Sequence, residues 1–191
     1  MNIEIQKKPQ TDYLKNIKIV GTEDVIKLSE VQEIKDAVQE HLLFIGLDRG
    51  NNIRTISLIG IGTTSGISIN RKDVLRTALL TASDRVILVH NHPSNTLKAS
   101  HEDKNLTNII NKFLNIFNIQ LLDHVIVTEN GYLSMLKENL IDINYENNDI
   151  RFIENTLLIE ENDRLKKEID DLNYKLEKEK KIFEQDSELE F

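Results

Sequence analysis

Cysteine is absent from the 191 residues. That excludes disulfides, a thiolate nucleophile and any cysteine-ligated zinc centre, so a bound metal has to be held by His, Asp or Glu. Long apolar runs are lacking as well, and no segment approaches the roughly 18 residues of a membrane span. Met1 to Lys8 carry no apolar core of the signal-peptide kind, so a cytoplasmic location without a membrane partner is expected. An excess of basic charge is also missing. The formal net charge is −8, from 24 Lys and Arg against 32 Asp and Glu. Residues 1–150 hold 16 basic and 19 acidic side chains, and residues 151–191 hold 8 and 13. Neither part is a basic platform, so tight nonspecific binding to DNA is not expected. No internal repeat is present.

The most informative stretch runs from Arg85 to Asp103. Arg85-Val86-Ile87-Leu88-Val89 reads as a short buried strand. His90 and His92 follow at i and i+2, a spacing that turns both imidazoles to one face at a strand end. Pro93 ends the strand, having no N–H for the ladder. After a small polar loop, Asp103 arrives near the start of a helix. Two neutral imidazoles and one carboxylate are a natural set for a divalent ion, and catalytic zinc usually takes three protein ligands with one position left for water. His90, His92 and Asp103 are the candidate ligands. A bare His-x-His occurs often by chance, and two solvent-facing histidines on a polar turn are the plain alternative. The buried strand, the proline break, and Ser100 and Asp103 at fixed offsets favour the metal.

His-x-His-Pro-x6-Ser-x2-Asp resembles the JAMM (MPN+) metalloprotease signature, and Ala82 to Asp103, with His-Asn-His-Pro-Ser inside it, most resembles the RadC-like branch. The resemblance runs from about Glu23 to Leu140. Two departures stand out: Asn95 occupies a position where the family usually has glycine, and Leu97, Lys98 and Ala99 lie where it tends to have prolines. Asn tolerates left-handed backbone better than most residues, so the turn can survive. The resemblance implies an α/β fold, a three-layer mixed-sheet JAB/MPN domain related to the deaminase-like fold. It implies a zinc-dependent metallopeptidase or isopeptidase that hydrolyses an amide bond in a peptide or protein substrate. It also implies a glutamate general base at the start of the first hairpin strand, where Glu40 stands, and a serine that stabilises the tetrahedral intermediate, Ser100. Without the resemblance, Glu40 reads as a solvated strand start and Ser100 as a helix N-cap. RadC-like proteins are associated with DNA repair and mobile elements, which gives a second reading as a DNA-transaction accessory protein. The acidic charge argues against it, as does a short N-terminal stretch with no room for the helix-hairpin-helix region of longer RadC-like proteins. A noncatalytic scaffold working through the tail is a third reading, opposed by the intact metal motif.

Taken in order, residues 1–22 read as a lead-in arm, with Ile17-Lys18-Ile19-Val20 as a short edge strand. Thr22 offers an N-cap to a helix or helix pair over about 23–38, with Val38 as its last apolar residue. Glu40–Asp48 and Ile53–Gly62 read as a hairpin across the Arg49-Gly50-Asn51-Asn52 turn. Ile67-Ser68-Ile69 reads as a short strand, and Asn70 as the cap of a helix from Arg71 to Thr81. Val74, Leu75, Ala78, Leu79 and Ala82 form that helix's apolar face. A second long helix opens at Ser100 or His101 and runs to about Phe117, with a core stripe that includes Ile110, Phe113, Leu114 and Phe117. Ile119–Thr128 is a strand, Asn130-Gly131 a turn and Tyr132–Leu136 the last strand. His41, His101 and His124 read as residues without a special role; a place for His124 behind the metal ligands and orientation of a ligand histidine by Asp123 are the less favoured alternatives. The metallo-domain is placed at 23–145.

From about residue 150 glycine and proline vanish and charge dominates. Leu158, Asn162, Leu165, Ile169, Leu172, Leu176, Glu179 and Phe183 alternate steps of four and three. That spacing is a heptad seam, with Asn162 at an a position, where a buried Asn favours one register of a parallel dimer. Residues 150–185 are thus expected to form a long C-terminal helix, either a coiled coil that makes the protein a homodimer or a single solvated helix lying on the domain, with Asn162 and Glu179 weakening the seam. Sedimentation should give a dimer at micromolar concentration that becomes a monomer when residues 151–191 are removed; a monomer in both cases excludes the seam as an interface.

Overall fold

The computed structural model describes residues 14, 17–64, 66, 69–141, 162 and 165–178. Five strands form one mixed sheet in the order β2-β1-β3-β4-β5. The strands are β1 (His41–Leu47), β2 (Ile53–Ile61), β3 (Arg85–Asn91), β4 (Gln120–Thr128) and β5 (Gly131–Ser134). Only β3 and β4 run parallel; β1–β2, β1–β3 and β4–β5 are antiparallel. A parallel neighbour needs a crossover, and α4 (His101–Ile116) supplies it between β3 and β4. The other helices packed on the sheet, among the described residues, are α1 (Thr22–Ile26), α2 (Ser29–Lys35) and α3 (Arg71–Leu80).

Period-2 alternation divides the sheet between two cores. Leu43, Ile45, Ile87 and Val89 face one way, against Val25, Val31 and Ile34 of α1 and α2. Leu42, Phe44, Val86 and Leu88 face the other, against Val74 and Ala78 of α3 and Ile110 and Leu114 of α4. Helices therefore cover both faces, giving the three layers expected of an α/β domain. The central strand β3 is buried along its whole length, as a strand covered on both sides must be. Buried Arg85 at its start ties in the first hairpin, donating to the Arg49 carbonyl at 2.7 Å and to Asn51 Oδ1 at 2.7 Å.

β4 contains an irregularity that decides where its polar residues point. Val86 pairs with Leu121 but Ile87 pairs with Asp123, so Leu122 is an extra residue. A bulge of this kind reverses the facing of everything after it. Asp123 is thereby turned to the α1–α2 face, and His124 to the face that α4 covers. Asp123 is completely buried. It accepts from Ser134 Oγ at 2.6 Å, the His124 amide at 2.7 Å, the Leu136 amide at 3.0 Å and Thr22 Oγ1 at 3.3 Å. One carboxylate thus pins α1, β4 and the segment after β5. Burial raises its pKa, against the lowering effect of those hydrogen bonds.

Several expectations need correction. The N-cap of α1 is Gly21, not Thr22, because the Asp24 carboxylate reaches back to the Val20 and Gly21 amides at 2.8 and 3.2 Å. The 23–38 region is two short helices that stop at Lys35, and Val38 lies beyond them, 73% exposed. Leu79, Ala82, Phe113 and Phe117 are exposed rather than core. Only a narrow stripe of α3 and α4 touches the sheet, so apolar residues at its margin remain in solvent. Among the described residues of the arm, Ile17-Lys18-Ile19-Val20 forms one bridge, Lys18 with Asn52, in place of a strand. Ile67 and Ser68 lie outside the described residues, and Ile69 is not in a strand. In the tail, residues 165–178 are helical, and Leu165, Ile169, Leu172 and Leu176 are about half exposed. Leu158, Glu179 and Phe183 lie outside the described residues. Among the described residues no helix is long and apolar enough to cross a membrane.

Asp123→Ala should destabilise the fold by at least about 3 kcal/mol in urea unfolding, since it strands several buried donors at once. Val38→Ala should stay within about 0.5 kcal/mol of the parent. Equal midpoints for the two variants contradict the pinning role of Asp123.

Candidate metal centre

His90 is the penultimate residue of β3, and His92 follows its end. The His92 amide still donates to the Val127 carbonyl at 3.0 Å, so the strand's direction continues through both histidines. Their Nε2 atoms lie 2.9 Å apart. The chain then turns with the Asn95 amide bonded to the His92 carbonyl at 3.0 Å. Asn95 has φ of 57°, the left-handed conformation anticipated for it. Its side chain braces the turn, accepting from the Glu129 amide at 3.1 Å.

Asp103 enters from the first turn of α4, where Ser100 is the N-cap. Ser100 Oγ accepts from the Asp103 amide at 3.0 Å, and the Asp103 carboxylate answers through Oδ2, accepting from the Ser100 amide at 2.7 Å and its hydroxyl at 2.6 Å. This reciprocal cap satisfies orphan donors at the helix start. Oδ2 is thereby engaged, and Oδ1 faces His90 Nε2 at 3.2 Å, while Oδ2 lies 3.5 Å from His92 Nε2.

These three residues can hold a metal ion: their ligand atoms lie within 4.8 Å of one another. Tetrahedral bonds of about 2.0–2.1 Å place neighbouring ligand atoms about 3.3 Å apart, and the observed separations bracket that value. A stronger test is whether the imidazoles present lone pairs. His92 Nδ1 lies 2.8 Å from the Thr96 carbonyl, an acceptor only, so Nδ1 carries the hydrogen and Nε2 is bare. His90 Nδ1 lies 2.8 Å from His124 Nε2, and His124 Nδ1 lies 2.6 Å from Thr107 Oγ1. The Thr107 hydroxyl donates its single hydrogen to the Asp103 carbonyl at 2.5 Å. Thr107 therefore accepts from His124 Nδ1–H, His124 Nε2 accepts from His90 Nδ1–H, and His90 Nε2 is left bare as well. Partners that orient a ligand imidazole through its other nitrogen are a regular part of metal sites. His124 thus serves the centre after all. Asp123 touches neither ligand histidine.

Glu40 immediately precedes β1, half-buried, and lines an open cleft of about 680 Å³ with His92, Ser100 and Asp103. Its backbone is held by the Thr63 carbonyl at 2.9 Å and the Gly62 amide at 2.7 Å. Asn91, fully buried between the two histidines, points the opposite way. It accepts from the His41 amide at 2.7 Å and donates to the Ala37 and Gln39 carbonyls at 3.1 and 3.0 Å. It therefore clamps the chain on both sides of Glu40. The sequence signal for this was the alternation itself: a residue between two same-facing histidines must face away.

The electrostatics suit a cation. Burial would raise the Asp103 pKa, but hydrogen bonds from Ser100, and from His90 and His92 when they carry a proton on Nε2, prevail and hold it well below the usual carboxylate range; a metal ion would take the place of those two protons. Burial would lower His92, but the Asp103 carboxylate, the Thr96 carbonyl and the charge of Glu40 together outweigh it and favour the protonated ring that a metal ion would displace. Burial drives His124 well below its ordinary value, so it stays neutral. Burial raises Glu40, against His90 and His92 and with Asp103.

Comparison with known proteins agrees with this architecture. The RadC-like JAB domain family matches residues 19–140. A UPF0758 protein of Chlorobaculum tepidum is 33% identical over 138 residues, which cover 72% of this chain and 62% of the relative. UPF0758 proteins of Staphylococcus haemolyticus and Enterococcus faecalis are 30% and 32% identical, over 69% and 68% of this chain and 58% and 56% of their own. The chain spans about three fifths of the length of these curated relatives. With the family matched across the sheet, its covering helices and the His-His-Asp group, the chain belongs to the RadC-like JAB domain family.

Proposed function

We propose that the chain is a zinc-dependent amide hydrolase of the JAMM type, a metallopeptidase or isopeptidase with a peptide or protein substrate. The observation that carries this reading is the convergence of two imidazole Nε2 atoms and a carboxylate at the wall of an open cleft that half-buried Glu40 also lines. His90, His92 and Asp103 are the ligands, and zinc is favoured because two imidazoles and one carboxylate are a usual catalytic set. A bound zinc ion would polarise the substrate carbonyl and acidify water.

The chain's own groups do the rest. Glu40 accepts a proton from the attacking water as the new C–O bond forms, then delivers it to the leaving amine as the C–N bond breaks. Its raised pKa suits a group that must both take and return a proton. Asn91 fixes where that carboxylate sits. Ser100 caps α4 and steadies Asp103; its hydroxyl, turned from Asp103 Oδ2 toward the cleft, donates to the carbonyl oxygen as negative charge develops there. The half-exposed seam of Leu165, Ile169, Leu172 and Leu176 supports self-association through the tail.

Glu40→Gln should retain zinc yet lose about 10²- to 10⁴-fold in turnover on a panel of peptide and isopeptide substrates. Asp103→Ala should lose zinc and turnover together. Metal analysis after dialysis, run beside the turnover assay, separates the two roles; equal zinc loss in both variants contradicts them.

A further inference from the structure

The cleft carries two cations without a structural task. Arg71, the first residue of α3, and Lys98, in the loop before Ser100, both line it. Both are exposed, and neither side chain has an ionic or hydrogen-bonding partner among the described residues. The domain's other arginines are engaged: Arg49 and Arg54 pair with Asp84, Arg76 with Asp73, and Arg85 with backbone and amide oxygens.

Charge decides what the pair is for. Glu40, Glu102 and Asp103 bring three negative charges to the cleft, and Arg71 and Lys98 bring two positive ones. A divalent ion on the His-His-Asp group shifts that balance from −1 to +1. The chain as a whole carries −8, so the metal-bearing cleft is a local positive site on an acidic protein, and such a site draws anions. A guanidinium matches a carboxylate with two parallel N–H bonds, and an ammonium adds a point charge.

We propose that Arg71 and Lys98 form a carboxylate-binding subsite beside the metal, and that the substrate is a peptide with a carboxylate next to the scissile amide. This rests on the amide-hydrolase reading. The carboxylate belongs either to an acidic side chain or to a free chain terminus, and the same chemistry serves both.

The test is a binding titration on zinc-bearing Glu40→Gln protein, which holds peptides without cleaving them. The probes are acetyl-Gly-Gly-Glu-Gly-Gly-amide with its Gln twin, and acetyl-Gly-Gly-Gly with a free carboxylate or as the amide. At least one carboxylate peptide should bind tenfold or more tightly than its neutral twin, and which pair discriminates tells the two sources apart. Arg71→Gln with Lys98→Gln should erase the preference while zinc content and melting temperature stay at the parent values. Equal binding of twins, no binding of any probe, or a preference that survives in the double variant overturns the subsite. Zinc failing to load instead counts against the hydrolase reading, and the same titration on the zinc-free chain still decides the cation pair.

Discussion

One run of hydrogen bonds carries the centre: Asp103 carbonyl to Thr107, Thr107 to His124, His124 to His90. Every link is buried or half-buried, and each fixes the direction of the next, because a hydroxyl has one hydrogen and a neutral imidazole has one. The result is a lone pair on His90 Nε2, aimed where the lone pair of His92 also points. Helix α4 supplies both ends of the device. Asp103 contributes its carboxylate to the candidate ligand set and its carbonyl to the run, and Thr107, one turn later on the same face, receives the hydrogen bond. The reciprocal cap between Ser100 and Asp103 holds that first turn in place.

The rest of the fold brings these groups together. The parallel β3–β4 pair sets His90 beside β4 at the end from which α4 departs, the usual place for a site in a sheet of this kind. The extra residue at Leu122 decides which β4 side chain meets His90. Without it, Asp123 would face His90 and His124 would face α1. With it, the carboxylate becomes an anchor for α1 and the segment after β5, and the imidazole becomes the orienting partner. β1 does the corresponding work for Glu40, its start clamped by Asn91 from the neighbouring strand.

Much of this was legible in the residues. The apolar run before His90, the i, i+2 spacing, Pro93 and the Ser-x2-Asp offset anticipate which three side chains converge, because strand alternation and helix capping are local rules. Asn95 accepting left-handed backbone follows from its own chemistry. The role of His124 was not legible, since it depends on a one-residue bulge that Leu121-Leu122-Asp123 does not announce. Neither was the double use of Ser100: sequence offered capping and catalysis as rivals, whereas the hydroxyl both caps α4 and binds the ligand carboxylate. The surplus apolar residues of α3 and α4, such as Phe117 at 49% exposure, misled for a third reason. Periodicity identifies a face, but the width of that face that reaches the sheet is a tertiary matter.

The account turns on which nitrogens hold hydrogens, and long-range ¹H–¹⁵N correlation NMR of the histidine rings in zinc-bearing protein reads this directly. His124 should be neutral with its hydrogen on Nδ1, and His90 and His92 should carry theirs on Nδ1 with the metal on Nε2. A hydrogen on Nε2 of His124, or metal on Nδ1 of His90, would contradict it.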